Sequence, residues 1–325
     1  MLVPLKYNTR KYSFIMTSEK KPLKYFLELI NSPVGLYFLL AIGITWIFWI
    51  PTIIIAIAND YFLPGVFTPL NIANSGFKDG FHIIVFIVNQ IGVYGPFIAA
   101  IIVLWRTQGK DDVNTLFKEI TVWRVNPKWF LIILVVPAIL SFVSLGANIL
   151  WGADPSGAFN PGMTPIIIFL TFLNNIFTSG LEEPGWRGYA FSELRKKEEA
   201  YIVSLVVGVF WAAWHYPYMI YLNYSSGPFL TAIAIFGFTI TIIGGSVIFS
   251  WIYVNTKSLL IMILFHAFQN VFPILFLGQI QDIAGIITGL FTWVLVFIIT
   301  KYYGKTTLTG LTEEELAAKE AKKTP

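Results

Sequence analysis

The sequence contains no cysteine and carries little charge for its length. The absence of cysteine excludes disulfide bonds and thiolate metal ligands. Charged residues make up 12% of the 325 residues, about half of the fraction usual in soluble domains. Because apolar residues make up 56%, most of the outer surface must face lipid rather than water.

The basic residues do not form a patch, although the pI is near 9.0. Lysines and arginines lie in short connections between apolar runs, which is typical of membrane topology rather than of nucleic-acid binding. We therefore expect membrane lipid as a partner and no nucleic acid. No cleavable signal peptide is visible, since residues 1–35 are polar and basic and the first apolar run is long enough to stay in the membrane.

Eight apolar segments are long enough to cross the hydrocarbon as helices, which takes about 20 residues. They cover residues 36–58, 82–105, 129–150, 164–183, 201–223, 228–254, 258–277 and 283–302. The sequence therefore predicts an all-α, polytopic membrane helix bundle of about eight transmembrane helices. The bundle spans residues 36–302, between a basic arm at 1–35 and a tail at 303–325.

With these spans, every lysine and arginine except Lys78 falls on one side of the membrane. This count treats residues 187–197 as a loop on that side. Because positively charged segments remain in the cytoplasm, we expect both termini to be cytoplasmic in a multi-pass protein of a prokaryotic plasma membrane. The end of the tail, from Thr312, is typical of a short solvated helix or of disorder.

A few polar side chains lie within the apolar segments, where charges are costly and usually functional. Glu182 and Glu183 end the fourth segment, His215 lies inside the fifth, and His266 and Asn270 lie inside the seventh. Each alone has an ordinary explanation, as an interfacial cap or a helix–helix contact. Together they are nearly all the polar chemistry of the bundle, which favours one shared site.

These residue types suit hydrolysis. A partly desolvated carboxylate can act as a general base, and a histidine beside it can polarise the same water. His266 and Asn270 are four residues apart and project from one helix face, where two donors could stabilise an oxyanion. Arg187 could pair with Glu183, but Pro184 forbids a regular helix there and predicts a bend or break.

At these residues the sequence resembles the CPBP family of intramembrane proteases, also called the CAAX amino-terminal protease or Abi family, which includes the type II CAAX prenyl endopeptidases. The family pattern is Glu-Glu-x-x-x-Arg, then Phe-x-x-x-His, then His-x-x-x-Asn or Asp, on three helices of an eight-helix bundle. The residues that match the first and third motifs are Glu182, Glu183, Arg187, His266 and Asn270.

The second motif departs from the family in its aromatic residue. Trp211 stands four residues before His215, where the family prefers Phe, and Phe210 is its neighbour. The resemblance covers roughly residues 160–275. The N-terminal half is similar to the family only in having three apolar spans.

The resemblance implies an intramembrane endopeptidase acting on a peptide or protein substrate, prenylated or unmodified. In the implied mechanism Glu182 and His215 activate the water. His266 and Asn270 stabilise the oxyanion, and Glu183 and Arg187 support the site. The family has been described both as metal-dependent and as glutamate-dependent. We favour a metal-free glutamate mechanism without a cofactor. The alternative is zinc, held with an open position by Glu182, His215 and His266.

Two other functions are compatible with the same residues. A proton-coupled transporter could use the glutamate and histidines as a relay, although the chain has no internal repeat. A non-catalytic membrane scaffold or immunity protein could keep the motifs without using them.

The depths of the motif residues also constrain the fold. At about 1.5 Å per residue, His215 lies roughly 20 Å from the start of its span, whereas Glu182 stands at a span end. For the two to meet, the fourth span must reach deeper than residue 183, or residues 187–200 must dip into the membrane.

Overall fold

A computed structural model describes residues 27–152, 154, 159–276 and 282–321, and it contains no strand within those ranges. The all-α prediction is confirmed. The helical elements, numbered in chain order, are α1 (Pro33–Asn59), α2 (Thr68–Ser75), α3 (Gly80–Val93), α4 (Gly95–Thr107), α5 (Lys110–Ile120), α6 (Lys128–Leu150), α7 (Pro165–Phe177), a 3-10 turn (Ser179–Glu182), a π-helix (Pro184–Phe191), α8 (Ser192–Arg195), α9 (Ala200–Trp214), α10 (Tyr216–Asn223), a second 3-10 turn (Tyr224–Ser226), α11 (Pro228–Thr256), α12 (Leu259–Leu275), α13 (Asp282–Tyr303) and α14 (Glu313–Ala321).

The apolar helices lie at the eight predicted places, and the prediction of a polytopic membrane bundle is confirmed. The stretches long and apolar enough to cross a membrane are Pro33–Asn59, Lys128–Leu150, Pro165–Arg195, Pro228–Thr256 and Gly285–Tyr303. Two bent helix pairs meet the same criterion when each pair is counted as one span, α3 with α4 at 46° and α9 with the helical stretch that follows it at 49°. The remaining apolar helix, α12, is shorter, with 17 residues.

The bend in the fifth span follows from Pro217. A proline ring clashes with the carbonyl four residues earlier, so the helix cannot continue regularly. Accordingly α9 ends at Trp214, and the backbone N–H of His215 donates to Ala212 at 3.1 Å rather than to the carbonyl of Trp211. The bend thus puts His215 at a hinge and leaves the Trp211 carbonyl to another donor.

The fourth span does not end at residue 183, and the prediction of a loop at 187–197 was wrong for most of its length. Pro184 has no N–H to bond the Gly180 carbonyl. The N–H of Glu183 takes that carbonyl instead and closes a 3-10 turn, after which the chain continues as a π-helix and then α8 to Arg195. The helical stretch therefore continues to Arg195, which agrees with one of the two options that the depth argument left open. Arg187 lies in the π-helix and therefore is not a loop cation, although the topology prediction counted it as one.

Two glycines, one on α4 and one in the π-helix, allow the fourth span to pack closely against the N-terminal half of the bundle. A Cβ on Gly95 would overlap Thr45 of α1 and lie 2.7 Å from the Ala41 carbonyl oxygen. A Cβ on Gly185 would lie 2.5 Å from the carbonyl oxygen of Pro96. Small residues at such contacts let membrane helices approach closely, and here they press α4 between α1 and the π-helix.

The chain after the last span folds back on the bundle. The Ala200 N–H donates to the Thr306 carbonyl at 2.8 Å, and the Tyr201 N–H donates to the Lys305 carbonyl at 3.0 Å. Leu308 is fully buried. The tail then forms α14, one of the two predicted options. Residues 1–26 of the basic arm lie outside the described residues, and the cytoplasmic placement of the termini stays a prediction.

The close approach of α4 to α1 can be tested by Gly95→Ala. The added methyl group overlaps Thr45, so the free energy of unfolding should fall by about 1–3 kcal/mol. Gly43→Ala is the matched control on α1, because a Cβ there meets nothing within 4 Å and alanine favours a helix. Thermal unfolding of the detergent-purified variants measures both. Equal melting temperatures for Gly95→Ala and the unaltered protein would contradict the packing.

Candidate active site

A buried ion pair joins two motif residues within the fourth span. Both side chains are fully buried, and the Arg187 guanidinium donates to the two Glu183 carboxylate oxygens at 3.2 and 3.0 Å. The Nδ1–H of His266, on α12, donates to Glu183 Oε1 at 2.8 Å. A buried carboxylate requires both charge compensation and hydrogen bonds, and Glu183 has both.

Two neighbouring aromatic rings contact the guanidinium of Arg187. Its central carbon lies 4.2 Å from the ring centre of Trp211 and 4.5 Å from that of Phe249. It also donates to the Ser246 hydroxyl at 3.4 Å. Cation–π contacts are strongest where water is excluded, so a cation beside the carboxylates can persist within the bundle.

Glu182 is buried and receives two indole N–H groups on a single oxygen. Trp211 Nε1 donates to Oε2 at 2.8 Å, and Trp186 Nε1 donates to the same atom at 3.4 Å. The carboxylate also interacts electrostatically with His266. Since both donors act on Oε2, Oε1 is the oxygen left for a reacting group.

His215 is oriented by the carbonyl that the bend frees. Its Nδ1 lies 2.8 Å from the Trp211 carbonyl oxygen. A carbonyl only accepts, so Nδ1 carries the proton and Nε2 carries a lone pair in the neutral ring. The ring packs edge-on against Trp214 and Phe238, with centroids at 4.5 and 5.2 Å.

His266 presents the equivalent arrangement with a carboxylate as the partner. Because Nδ1 donates to Glu183, Nε2 can donate only when the ring is an imidazolium. In the neutral ring Nε2 carries a lone pair and can only accept.

Asn270 lies one turn after His266, and the structure occupies both of its amide hydrogens. Its Nδ2 donates to Asn175 Oδ1 and to the Ser179 hydroxyl, each at 2.9 Å. The Asn175 orientation follows from its own Nδ2, which donates to the Thr171 carbonyl at 2.8 Å. That contact makes Asn175 Oδ1 an acceptor, so Asn270 must donate. This polar cluster ties α12 to α7.

The structure thus gathers the six predicted residues in one region, but not in one contact set. Glu182, Glu183, Arg187 and His266 interact directly. His215 joins them through Trp211, whose ring centre lies 6.0 Å from that of His215 and 5.6 Å from that of His266.

Sequence reasoning missed several residues of this region. Asn175 and Ser179 are polar and four residues apart within an apolar run, a signal of a shared helix face. Trp211 was considered only as an aromatic residue and Trp186 was not considered, yet both donate an indole N–H to Glu182. Tyr37 of α1 carries no signal in the sequence, although its buried ring packs 5.8 Å from Trp186.

The predicted zinc ligands do not form a metal site. Among residues 27–152, 154, 159–276 and 282–321, no three His, Asp or Glu side chains are arranged to hold a metal ion. Glu182, His215 and His266 are each turned toward an indole N–H, a carbonyl or a carboxylate. As placed, these residues do not fit zinc, and the metal dependence stays a prediction for chelation to test.

In comparisons with known proteins, the part of the chain that contains the three motifs matches a known family. Residues 164–272 match the family model described as type II CAAX prenyl endopeptidase Rce1-like. The chain is 27% identical over 276 residues to CAAX prenyl protease 2 of Methanococcus maripaludis, covering 81% of this chain and 92% of that protein. The chain is a multi-pass membrane protein by its apolar helices. Residues 164–272 are similar to the type II CAAX prenyl endopeptidases of the Rce1-like family, in agreement with the resemblance that the motifs indicated.

The buried ion pair can be tested by Arg187→Gln. The substitution leaves Glu183 buried without its cation, so the free energy of unfolding should fall by about 3–5 kcal/mol. Lys196→Gln is the control, because it breaks a partly exposed pair with Glu193 that contributes about 1 kcal/mol or less. Thermal unfolding in detergent measures both, and the double variant with Glu183→Gln should recover much of the loss. Equal effects of Arg187→Gln and Lys196→Gln would contradict the assignment.

Proposed function

We propose that the chain is an intramembrane endopeptidase that hydrolyses a peptide bond with a water activated by Glu182 and His215. The observation that carries the proposal is the shared attachment of both residues to Trp211. The indole N–H of Trp211 holds one oxygen of Glu182, and its carbonyl holds Nδ1 of His215. These bonds leave Glu182 Oε1 and His215 Nε2 untaken, and we propose that these two atoms bind one water molecule.

In the proposed reaction, Glu182 Oε1 accepts a proton from the water while His215 Nε2 accepts a hydrogen bond from it. The hydroxide adds to the carbonyl carbon of the scissile bond. The bond between carbon and nitrogen then breaks as the proton passes from Glu182 to the leaving amine. The products are a carboxylic acid and an amine, and the proton of the acid then passes to the amine to give a carboxylate and an ammonium group. Glu182 is again a carboxylate, so the enzyme returns to its starting state.

The oxyanion of the tetrahedral intermediate requires donors in a site without bulk water. His266 suits this role as an imidazolium, since Glu183 holds its Nδ1–H and Nε2–H is then a charged donor. Asn270 would have to exchange one of its bonds to Asn175 or Ser179 before it could donate to substrate. We therefore assign most of the oxyanion stabilisation to His266.

We further propose that the substrate is a membrane-associated peptide or protein, with prenylated C-terminal peptides as the first class to test. The support is the family description and the name of the relative, both of which refer to prenylated CAAX substrates. A prenyl chain would also partition into the bilayer beside the bundle and concentrate its peptide there.

Replacement of the two water-activating residues should abolish cleavage. Glu182→Ala and His215→Ala should each lower kcat about 10²–10⁴-fold, the usual contribution of a general base. Purified variants in detergent or liposomes are assayed on a panel of prenylated and unmodified peptides. Glu193→Ala, on α8 outside the site, is the control and should cleave normally.

Other outcomes of that assay separate the alternatives. Full activity in either variant contradicts the mechanism. Proton-driven uptake into liposomes without any cleavage would identify a transporter, and a cellular phenotype that survives Glu182→Ala would identify a scaffold.

Chelation tests the metal-free mechanism. Since no three carboxylates or imidazoles among the described residues are arranged to hold a metal ion, treatment with a strong zinc chelator should leave the rate of peptide cleavage unchanged. The measurement pairs the rate with the metal content of the purified protein. Loss of activity that added zinc restores would show that the mechanism uses the metal.

A further inference from the structure

Trp211 contacts more of the site than any role as an aromatic spacer requires. Its indole N–H donates a hydrogen bond to Glu182 at 2.8 Å, and its carbonyl accepts one from His215 at 2.8 Å. Its ring stacks over the Arg187 guanidinium at 4.2 Å and meets the edge of His266 at 5.6 Å. One residue of α9 thus touches members of all three motifs, which lie on three separate helices.

The family pattern places phenylalanine at this position, and the difference has a chemical consequence. Phenylalanine could keep the stacking on Arg187 and the backbone carbonyl, but it has no N–H. The hydrogen bond to Glu182 is therefore specific to chains with tryptophan here. It is also the stronger of the two indole bonds to Oε2, since Trp186 donates to the same atom at 3.4 Å.

We propose that Trp211 is a positioning residue of this site: its indole N–H fixes Oε2 of Glu182 and thereby assigns Oε1 to the attacking water. The proposal rests on the proposed function. A carboxylate held at one oxygen by a charge-assisted bond cannot rotate freely between its two oxygens. Because His215 donates to the carbonyl of the same residue, Trp211 positions both side chains that are proposed to bind the water.

The test removes the indole N–H of Trp211 and keeps an aromatic ring at this position. Trp211→Phe should lower kcat about tenfold or more while KM stays unchanged, since a hydrogen bond to a charged group is lost and no substrate contact is. A merely structural role would not give this split. Trp186→Phe should lower kcat less, because its bond is longer.

Trp49→Phe is the kinetic control, because it removes a buried indole that donates to the Asn89 carbonyl. Trp214→Phe serves as the control for the spectroscopy alone, because its indole donates to Thr45 rather than to Glu182.

A spectroscopic measurement tests the bond without catalysis. The infrared carboxylate stretch of Glu182, identified as the band missing in Glu182→Gln, should shift in Trp211→Phe and not in Trp214→Phe. If Trp211→Phe fails to fold, benzothienylalanine at position 211 keeps the bicyclic shape and replaces the N–H with sulfur, and both readouts are repeated on it.

The outcomes distinguish this inference from the proposed function. Unchanged kcat together with an unshifted band overturns the role of Trp211, and so does a rise in KM alone. If the unaltered protein cleaves no peptide while the band still shifts, the hydrogen bond stands and the proteolytic function fails, and with it the role in catalysis. A shifted band together with a lower kcat supports both.

Discussion

The structure depends on neutralising charge inside an apolar bundle. An isolated ion in such surroundings is very costly, and it persists only with a counter-ion and hydrogen bonds. Glu183 meets this requirement with Arg187 from its own span and His266 from α12. The rings of Trp211 and Phe249 cover the guanidinium. The same contacts join the fourth, fifth, sixth and seventh spans, so the charge balance is also what holds the site together.

Prolines and glycines set where these contacts occur. Pro184 changes the helix type in the middle of the fourth span, and Pro217 breaks the fifth directly after His215. Each interruption replaces a regular backbone bond with a 3-10 bond, from the Glu183 N–H to Gly180 and from the His215 N–H to Ala212. The Trp211 carbonyl, which a regular helix would pair with the His215 N–H, is instead the partner of the imidazole. Local disruption of the helix and orientation of the side chain therefore have one cause.

Much of this could be predicted from the sequence, because apolar length and motif spacing are local signals. The eight segments, the face shared by His266 and Asn270, and the irregular helix at Pro184 all follow from residues close in the chain. The continuation of the fourth span to Arg195 does not. A charged, glycine-containing stretch resembles a loop until the partner of each charge is known, and His266 is 83 residues away from Glu183. The hydrogen bond from Trp211 to Glu182 was hidden for the same reason.

The docked segment after the last helix has a practical consequence for anyone who modifies this chain. Lys305 and Thr306 supply carbonyls to the first N–H groups of α9, and the nearby Leu308 is fully buried. These residues serve as an external cap for the helix that carries Trp211. Truncating the chain after Tyr303, or joining a reporter or affinity tag at that point, would remove this cap and disturb the fifth span. A fusion placed beyond α14 leaves it intact.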